Sequence, residues 1–359
     1  MKLGLIIYGS LETLTGGYLY DRKLVEHLRG NGDEVQIFSI PWRNYGKHLW
    51  DNLESKLLRS LSESSLDLLL EDELNHPSLF LLNRRLRPRV HYPIVAVVHH
   101  LRCKELRPAW QNGFYKIIEK DYLSTVDGFV FNGQTTRGTV EELVGNRRPS
   151  VIAFPGKDSI KPDPARNKIE LKARRTGPLR ILFVGSLIPR KELHTLIGAL
   201  ARLPRENWRL DVIGSPETDP TYSARIKDRI ERSGLAESVT LLGSMPAVQL
   251  AEYYSKSHVL AVPSSFEGFG IVYLEGMGFG LPAIASTAGA AHEIITHGRD
   301  GFLVDPGDVA SLADLLDRLH RDREEMVRMS FAALDRYAIH PTWEECAESI
   351  RKFLMEMIK

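Results

Sequence analysis

Short apolar runs alternate with amphipathic stretches along the whole chain. KLGLIIY (2–8), EVQIFSI (34–40), LDLLLED (66–72), PIVAVVH (93–99), GFVFN (128–132) and SVIAF (150–154) are rich in leucine and β-branched residues, and segments of helical spacing separate them. Strands that are apolar on both faces, separated by helices, predict a parallel sheet covered on both sides. Residues 155–178, PGKDSIKPDPARNKIELKARRTGP, then break the rhythm with prolines and charges, as a linker does. The alternation restarts with LRILFVGS (179–186), WRLDVIG (208–214), SVTLLG (238–243), HVLAVPS (258–264) and LPAIAS (281–286). A last amphipathic helix begins at Trp343, behind the start signal Pro341-Thr342.

The pattern predicts an α/β chain of two doubly wound, Rossmann-like domains. One covers 1–165 and the other 179–340, with a linker at 166–178 and a C-terminal helix at 341–359 that packs back on the N-terminal domain. A length of 359 residues suits two such cores. Open α/β sheets bind ligands at the carboxyl ends of their strands, so a cleft faced by both domains is the expected site.

Composition narrows the partners. Lys plus Arg number 47 against 46 Asp plus Glu, a balance that gives no reason to expect nucleic acid as a partner. No stretch approaches the roughly 20 apolar residues of a membrane span, and MKLGLIIYGS reads as a first strand rather than a signal peptide. Cys103 and Cys346 are far apart in sequence and form no CxxC pair, which fits a reduced, cytoplasmic setting and argues against a structural zinc site.

The densest chemistry lies in SSFEGFGIVYLEGMGFGLPAIAS (264–286), where Glu267 and Glu275 stand eight positions apart among glycines and apolar residues. Eight helical steps leave two side chains about 80° out of phase, so a shared helical face does not unite them. A strand, a turn and a helix do: Glu267 falls in the turn, Glu275 on the second turn of the helix. Gly268, Phe269, Gly270 and Ile271 lie between the turn and the helix start, whose N–H groups and dipole favour an anion. Acid, phosphate site and acid in that order suit a nucleotide diphospho-sugar.

This stretch resembles the retaining GT-B glycosyltransferases of family 4, whose hallmark is an E-x7-E motif in the context FEGFGxxxLEAMxxGxP. The likeness continues through TAGAAHEIITHGRDGFLVDPGD (287–308). It implies a GT-B fold and a metal-independent, retaining hexosyltransferase without a cofactor, whose donor is a nucleotide sugar such as a UDP- or GDP-sugar. It implies donor-sugar contacts for Glu267 and ribose contacts for Glu275, and makes the N-terminal domain the acceptor side. In FVGSLIPRKELHTLIGAL (183–200), Arg190 and Lys191 stand at a helix entrance. Alone such a pair is ordinary surface charge; the resemblance makes it the diphosphate clamp. Glu192 departs from the family there, where glycine is usual. Gly16 and Gly17, after the first strand, fit a tight turn or a close-approaching substrate equally well, and the family has a Gly-Gly loop beside the donor. His99, with His100 as the fallback, falls where a family histidine reaches the donor sugar near the reacting centre. No D-x-D metal motif follows a strand, so no metal is expected.

The acceptor side is less defined. Glu73, His76, His100 and Arg102 are the candidates there. The window 84–107 holds seven basic residues and one acid, which fits either a solvated face or a patch for an anionic acceptor or an anionic membrane surface. The stretch 45–61 fits a core-facing helix or an amphipathic surface one. The expected acceptor is a hydroxyl, on a lipid or glycan of the cell envelope, and the expected location is cytoplasmic, with peripheral contact at the inner face of the membrane. Two alternatives are a synthase of a soluble disaccharide or sugar phosphate and a noncatalytic sugar-nucleotide-binding protein.

Overall fold

β1 (Lys2–Tyr8), β2 (Glu34–Ile40), β3 (Leu68–Asp72), β4 (Ile94–Val98), β5 (Gly128–Phe131) and β6 (Ser150–Ile152) form one parallel sheet in the order β2-β1-β3-β4-β5-β6. β3 and β4 are buried along their whole length, as central strands covered on both faces must be. In the second sheet β7 (Leu179–Val184), β8 (Trp208–Ile213), β9 (Val239–Leu241), β10 (Val259–Ala261), β11 (Ala283–Ser286) and β12 (Gly301–Val304) run in the order β12-β11-β10-β7-β8-β9, again parallel. The computed structural model describes residues 1–162 and 165–359.

Each order reverses direction once. In the first sheet the reversal lies between β1 and β3, in the second between β10 and β7. The loops leaving these strands diverge to opposite faces of the sheet, which opens a crevice at the strand carboxyl ends. The two reversals are where ligand sites are to be sought.

The chain divides into a first unit of residues 1–156 with 341–359 and a second unit of residues 157–340. The terminal helix, Trp343–Ile358, belongs to the first. A capping box of Thr342 and Glu345 starts it. It is held to the Gly16–Gly30 helix and the loop after it by Arg351–Asp33 (2.7 Å) and His27–Glu348 (3.1 Å). Gly156 is required at this junction, since a Cβ there would lie 2.2 Å from the Trp343 nitrogen.

Three features differ from the sequence pattern. The stretch 166–178 is mostly a helix, Arg166–Arg174, of the second unit rather than a linker. Ile169 and Ala173, one turn apart, give it a buried face amid its charges, and the division between units falls at Gly156–Lys157 instead of at 165. Positions 163 and 164 of the expected linker region lie outside the described residues. The stretch 45–61 is two helices, Tyr45–Asp51 and Ser55–Ser62, with Leu58 and Leu61 in the core. β12 has no counterpart in the pattern, because GFLV is too short an apolar run to announce a strand by itself.

Candidate functional site

At the reversal in the second unit, the loops after β7 and β10 are laced together. The Arg190 guanidinium donates to the Phe266 carbonyl (2.7 Å) and the Ser265 amide donates to the Arg190 carbonyl (2.8 Å). This brings Lys191 onto the Glu267 carboxylate, with Arg190 3.6 Å from its other oxygen and the Ser264 hydroxyl donating at 2.6 Å. Burial pushes the Glu267 pKa up, but the Lys191 and Arg190 charges outweigh it and leave the pKa at about 2. Glu267 is thus an ionised carboxylate in a buried position, matched by two cations.

Backbone geometry makes room for this. A Cβ on Gly185, at the end of β7, would lie 3.4 Å from the Lys191 stem, and a Cβ on Gly214 would meet the Gly185 carbonyl at 1.9 Å. Gly289 has φ +83°, and a Cβ there would strike the Glu267 carbonyl at 2.1 Å; the Ala290 amide donates to that carbonyl. Gly270 adopts φ 97° and starts the helix Ile271–Gly278, which no side chain caps, so its first N–H groups face whatever occupies the turn. Phe269 is buried and Ile271 half-buried.

Glu275, on the second turn of that helix, is half-buried and has a different environment. The Tyr254 hydroxyl donates to it at 2.9 Å, and the Tyr254 ring stacks on Phe279. Burial raises its pKa to about 7, with the Tyr254 hydrogen bond working against the rise.

Glu192 resolves the question of the missing family glycine. It is the non-glycine residue with positive φ among the described residues, at φ 55° and ψ 33°, directly before the helix Leu193–Leu200. The turn keeps the left-handed geometry that glycine would take easily, and the Glu192 carboxylate accepts a hydrogen bond from Thr195.

In the first unit the reversal gathers Gly16 and Gly17 after β1, Asp72 and Glu73 at the end of β3, and His99 after β4. A Cβ on Gly17 would lie 3.3 Å from the His99 ring, so the glycine and the imidazole pack directly. His99 Nε2 is 3.4 Å from Asp21, which is fully buried. Burial pulls the His99 pKa down, but Asp21, Asp72 and Glu73 more than reverse this and raise it to about 9. Asp72 is pushed up to about 8 by burial and then by Asp21.

The acceptor-side candidates are not all open. Glu73 and His76 are buried; His76 lies 3.0 Å from both the Glu73 carboxylate and the Tyr45 hydroxyl. Burial raises Glu73 to about 7 and lowers His76 to about 4. These two residues, expected on the acceptor side, therefore belong instead to an interior polar network with Glu119. His100 pairs with Glu105 (3.1 Å), and the Arg102 guanidinium lies over the Tyr45 and Tyr115 rings. The basic window is also largely neutralised: Arg84 pairs with Asp121, Arg87 with Asp127, Lys104 with Glu142 and Arg107 with Glu105.

Among the described residues, Asp21, Asp72 and His99, and likewise Glu73, His76 and Glu119, bring three possible ligand atoms within 4.8 Å of one another. A cation fits the spacing of both groups. In both, bound protons can balance the charge as well, on Asp72 and His99 in one and on Glu73 and Glu119 in the other.

The sequence pattern singles out Glu267, Glu275, Arg190 and Lys191 as candidates and passes over Asp21, Ser264, Tyr254 and Gly289, which the structure brings against candidate residues. Asp21 lay in plain view one residue past GGYLY, but only the sheet order reveals that it meets His99.

Two parallel six-stranded sheets with helices around them, each with one reversal of strand order, have the GT-B fold. The structure matches the solved sucrose-phosphate synthase from Thermosynechococcus elongatus with a TM-score of 0.84, at 21% identity over 99% of this chain and 98% of that one. It matches Anabaena HepE in complex with UDP-glucose with a TM-score of 0.77, at 19% identity over 99% of this chain and 100% of that one.

Residues 165–336 match the family Glycosyl transferases group 1. Among curated relatives, D-inositol 3-phosphate glycosyltransferase of Corynebacterium urealyticum is 28% identical over 246 residues, 66% of this chain and 58% of that one. The chain thus spans less than two thirds of that relative's length. No helix among the described residues is long and apolar enough to cross a membrane.

Proposed function

We propose that the protein is a retaining glycosyltransferase that moves a hexose from a nucleotide diphosphate sugar to a hydroxyl acceptor. The observation that carries this reading is the Arg190–Lys191–Glu267 assembly at the β7/β10 reversal, beside an uncapped helix start at Gly270. Two side-chain cations and free N–H groups stabilise the charge that develops on a departing diphosphate without a metal at that point. Glu267 holds the cations in register and offers its carboxylate to sugar hydroxyls. Glu275 accepts from the ribose. Gly16, Gly17 and His99 serve the sugar being moved, and the first unit receives the acceptor. On this mechanism the departing phosphate takes the acceptor proton on the face where the new bond forms.

The helix Ala109–Leu123 supports a lipid acceptor. It exposes Trp110 (77%), Phe114 (43%) and Ile117 (67%) along one stripe, with Lys116 and Lys120 exposed and the half-buried acid of the stripe, Asp121, paired with Arg84. An outward apolar stripe with lysines is the composition of a helix that lies on an anionic bilayer. The rival reading, synthesis of a soluble sugar phosphate, draws on a structural neighbour named sucrose-phosphate synthase.

One experiment addresses donor and acceptor together. The protein is incubated with labelled UDP-glucose or GDP-mannose and anionic vesicles, and the product is partitioned between organic and aqueous phases. Label in the organic phase, with the anomeric configuration retained by NMR, is the expected outcome; aqueous product on a sugar phosphate would establish the rival. Donor binding without transfer or hydrolysis would leave a noncatalytic binding protein.

A further inference from the structure

The interior of the first unit holds an acid that the proposed reaction does not use. Asp21 lies on the second turn of the Gly16–Gly30 helix with no exposed surface, and neither of its carboxylate oxygens accepts a hydrogen bond. A carboxylate buried in this way is strongly unfavourable unless an opposite charge faces it. His99 Nε2, at 3.4 Å, is that charge, and this nitrogen is itself shut off from solvent.

The rest of the surroundings fix the ring. Gly17 forms its floor, the Tyr20 ring meets it edge-on with centroids 5.1 Å apart, and the Asn132 amide donates to the His99 carbonyl at 2.7 Å. The charged groups that face His99 are acids: Asp21 from the helix, and Asp72 and Glu73 from the end of β3. The cations His100 and Arg102 act on Glu73.

We propose that Asp21 is the positioning residue of His99, locking the ring with Nε2 turned inward and keeping it an imidazolium whose remaining N–H, on Nδ1, can only donate. The inference rests on the transferase reading for its role and names what His99 recognises: an oxygen lone pair, on a sugar hydroxyl or a phosphate, rather than a hydroxyl proton. Asp72 lies beside the same ring, and burial and then Asp21 raise its pKa to about 8. A neutral histidine would accept or donate according to tautomer and would not enforce this choice.

The test uses the full chain labelled at histidine carbon and nitrogen, with the His99 signals identified by their loss in His99→Gln. The wild-type ring is expected to stay protonated beyond pH 8. Asp21→Asn, which keeps the shape, is expected to bring the midpoint down by at least one pH unit toward the ordinary value of about 6.5. Its kcat/KM is expected to fall by up to about 30-fold at pH 8 and to recover at about pH 5.5, as the protonated fraction of an ordinary imidazole dictates. Asp21→Glu should restore most of the rate. Asp72→Asn, a second variant in case the first does not fold, should lower the midpoint less.

A wild-type midpoint near 6.5, or one that neither variant shifts, overturns the proposal. So does a rise in wild-type melting temperature with Mn²⁺ or Zn²⁺ alone that Asp21→Asn abolishes, since the cluster would then hold a cation. The NMR midpoint needs no turnover, so a high midpoint in a protein without transferase activity removes the proposed function and leaves the positioning role standing.

Discussion

Glu267 and Glu275 are the same residue in one motif, eight positions apart, and the fold treats them as opposites. Glu267 meets Lys191, Arg190 and Ser264, and its pKa is held at about 2; Glu275 has one phenol and is pushed up to about 7. Burial acts in the same direction on both, so the difference comes from the cations that the β7 loop delivers to one and not the other. A fixed charge suits a group that must keep two cations aligned through a reaction. A carboxyl poised near neutrality suits a group whose partner is an incoming hydroxyl, because ligand binding can complete its ionisation.

The contrast is broken most severely at Glu267. Replacing it with glutamine leaves the half-buried Lys191 beside Arg190 with no counter-charge, and splitting a pair whose acid is buried costs up to about 3 kcal/mol. We expect the melting temperature of Glu267→Gln to fall, and kcat to drop on the order of 100-fold at temperatures where the variant is folded. Calorimetry and single-turnover kinetics separate the two effects; a folded variant with a normal rate would reduce Glu267 to a structural anchor.

A smaller effect is expected at Glu275, and it depends on pH. If the ionised form accepts from the ribose, donor affinity should tighten by about 10-fold from pH 6 to pH 8, as the carboxyl passes through its pKa of about 7. The stability effect has the opposite sign. A folded-state pKa above the unfolded value contributes stability that is complete below about 4.5 and lost as pH rises through 7. Calorimetric titration with the donor at several pH values reads the first effect, and thermal melts without donor read the second. Glu275→Gln should flatten both, and a pH-independent affinity in the wild type would sink the ribose assignment.

The two units also differ in how much of them the sequence discloses. In the second, the site is built from two contiguous stretches, 183–200 and 264–286, and local spacing is enough to place Glu267 in a turn and Glu275 on a helix. In the first, Gly17, Asp21, Asp72 and His99 come from three separate strand ends, and it is the β1–β3–β4 order that brings them together. Charge counting along the chain misleads there for the same reason. The basic window 84–107 looks unopposed in sequence and is paired in space with acids at 121, 127 and 142. Alternating apolar runs located eleven of the twelve strands among the described residues, and β12 escaped because four residues carry too little periodicity.

Glu192 lies between these cases, since the sequence marks it as a departure without showing its effect. Its left-handed backbone costs about 1 kcal/mol for a residue with a Cβ, while its carboxylate recovers part of that through Thr195. Comparing Glu192→Gly with Glu192→Ala isolates the backbone term, because both lose the contact and the alanine alone retains the strain. We expect the glycine variant to be about 1 kcal/mol more stable by chemical denaturation. Transfer rates of the two should agree, since Arg190 and Lys191 stay tied to the β10 loop through the Arg190 guanidinium, the Phe266 carbonyl and Glu267. Equal stabilities would mean that the turn leaves the left-handed region once the carboxylate is gone. In that case the Thr195 hydrogen bond, rather than the packing of the two loops, is what imposes the glycine-like geometry on a glutamate.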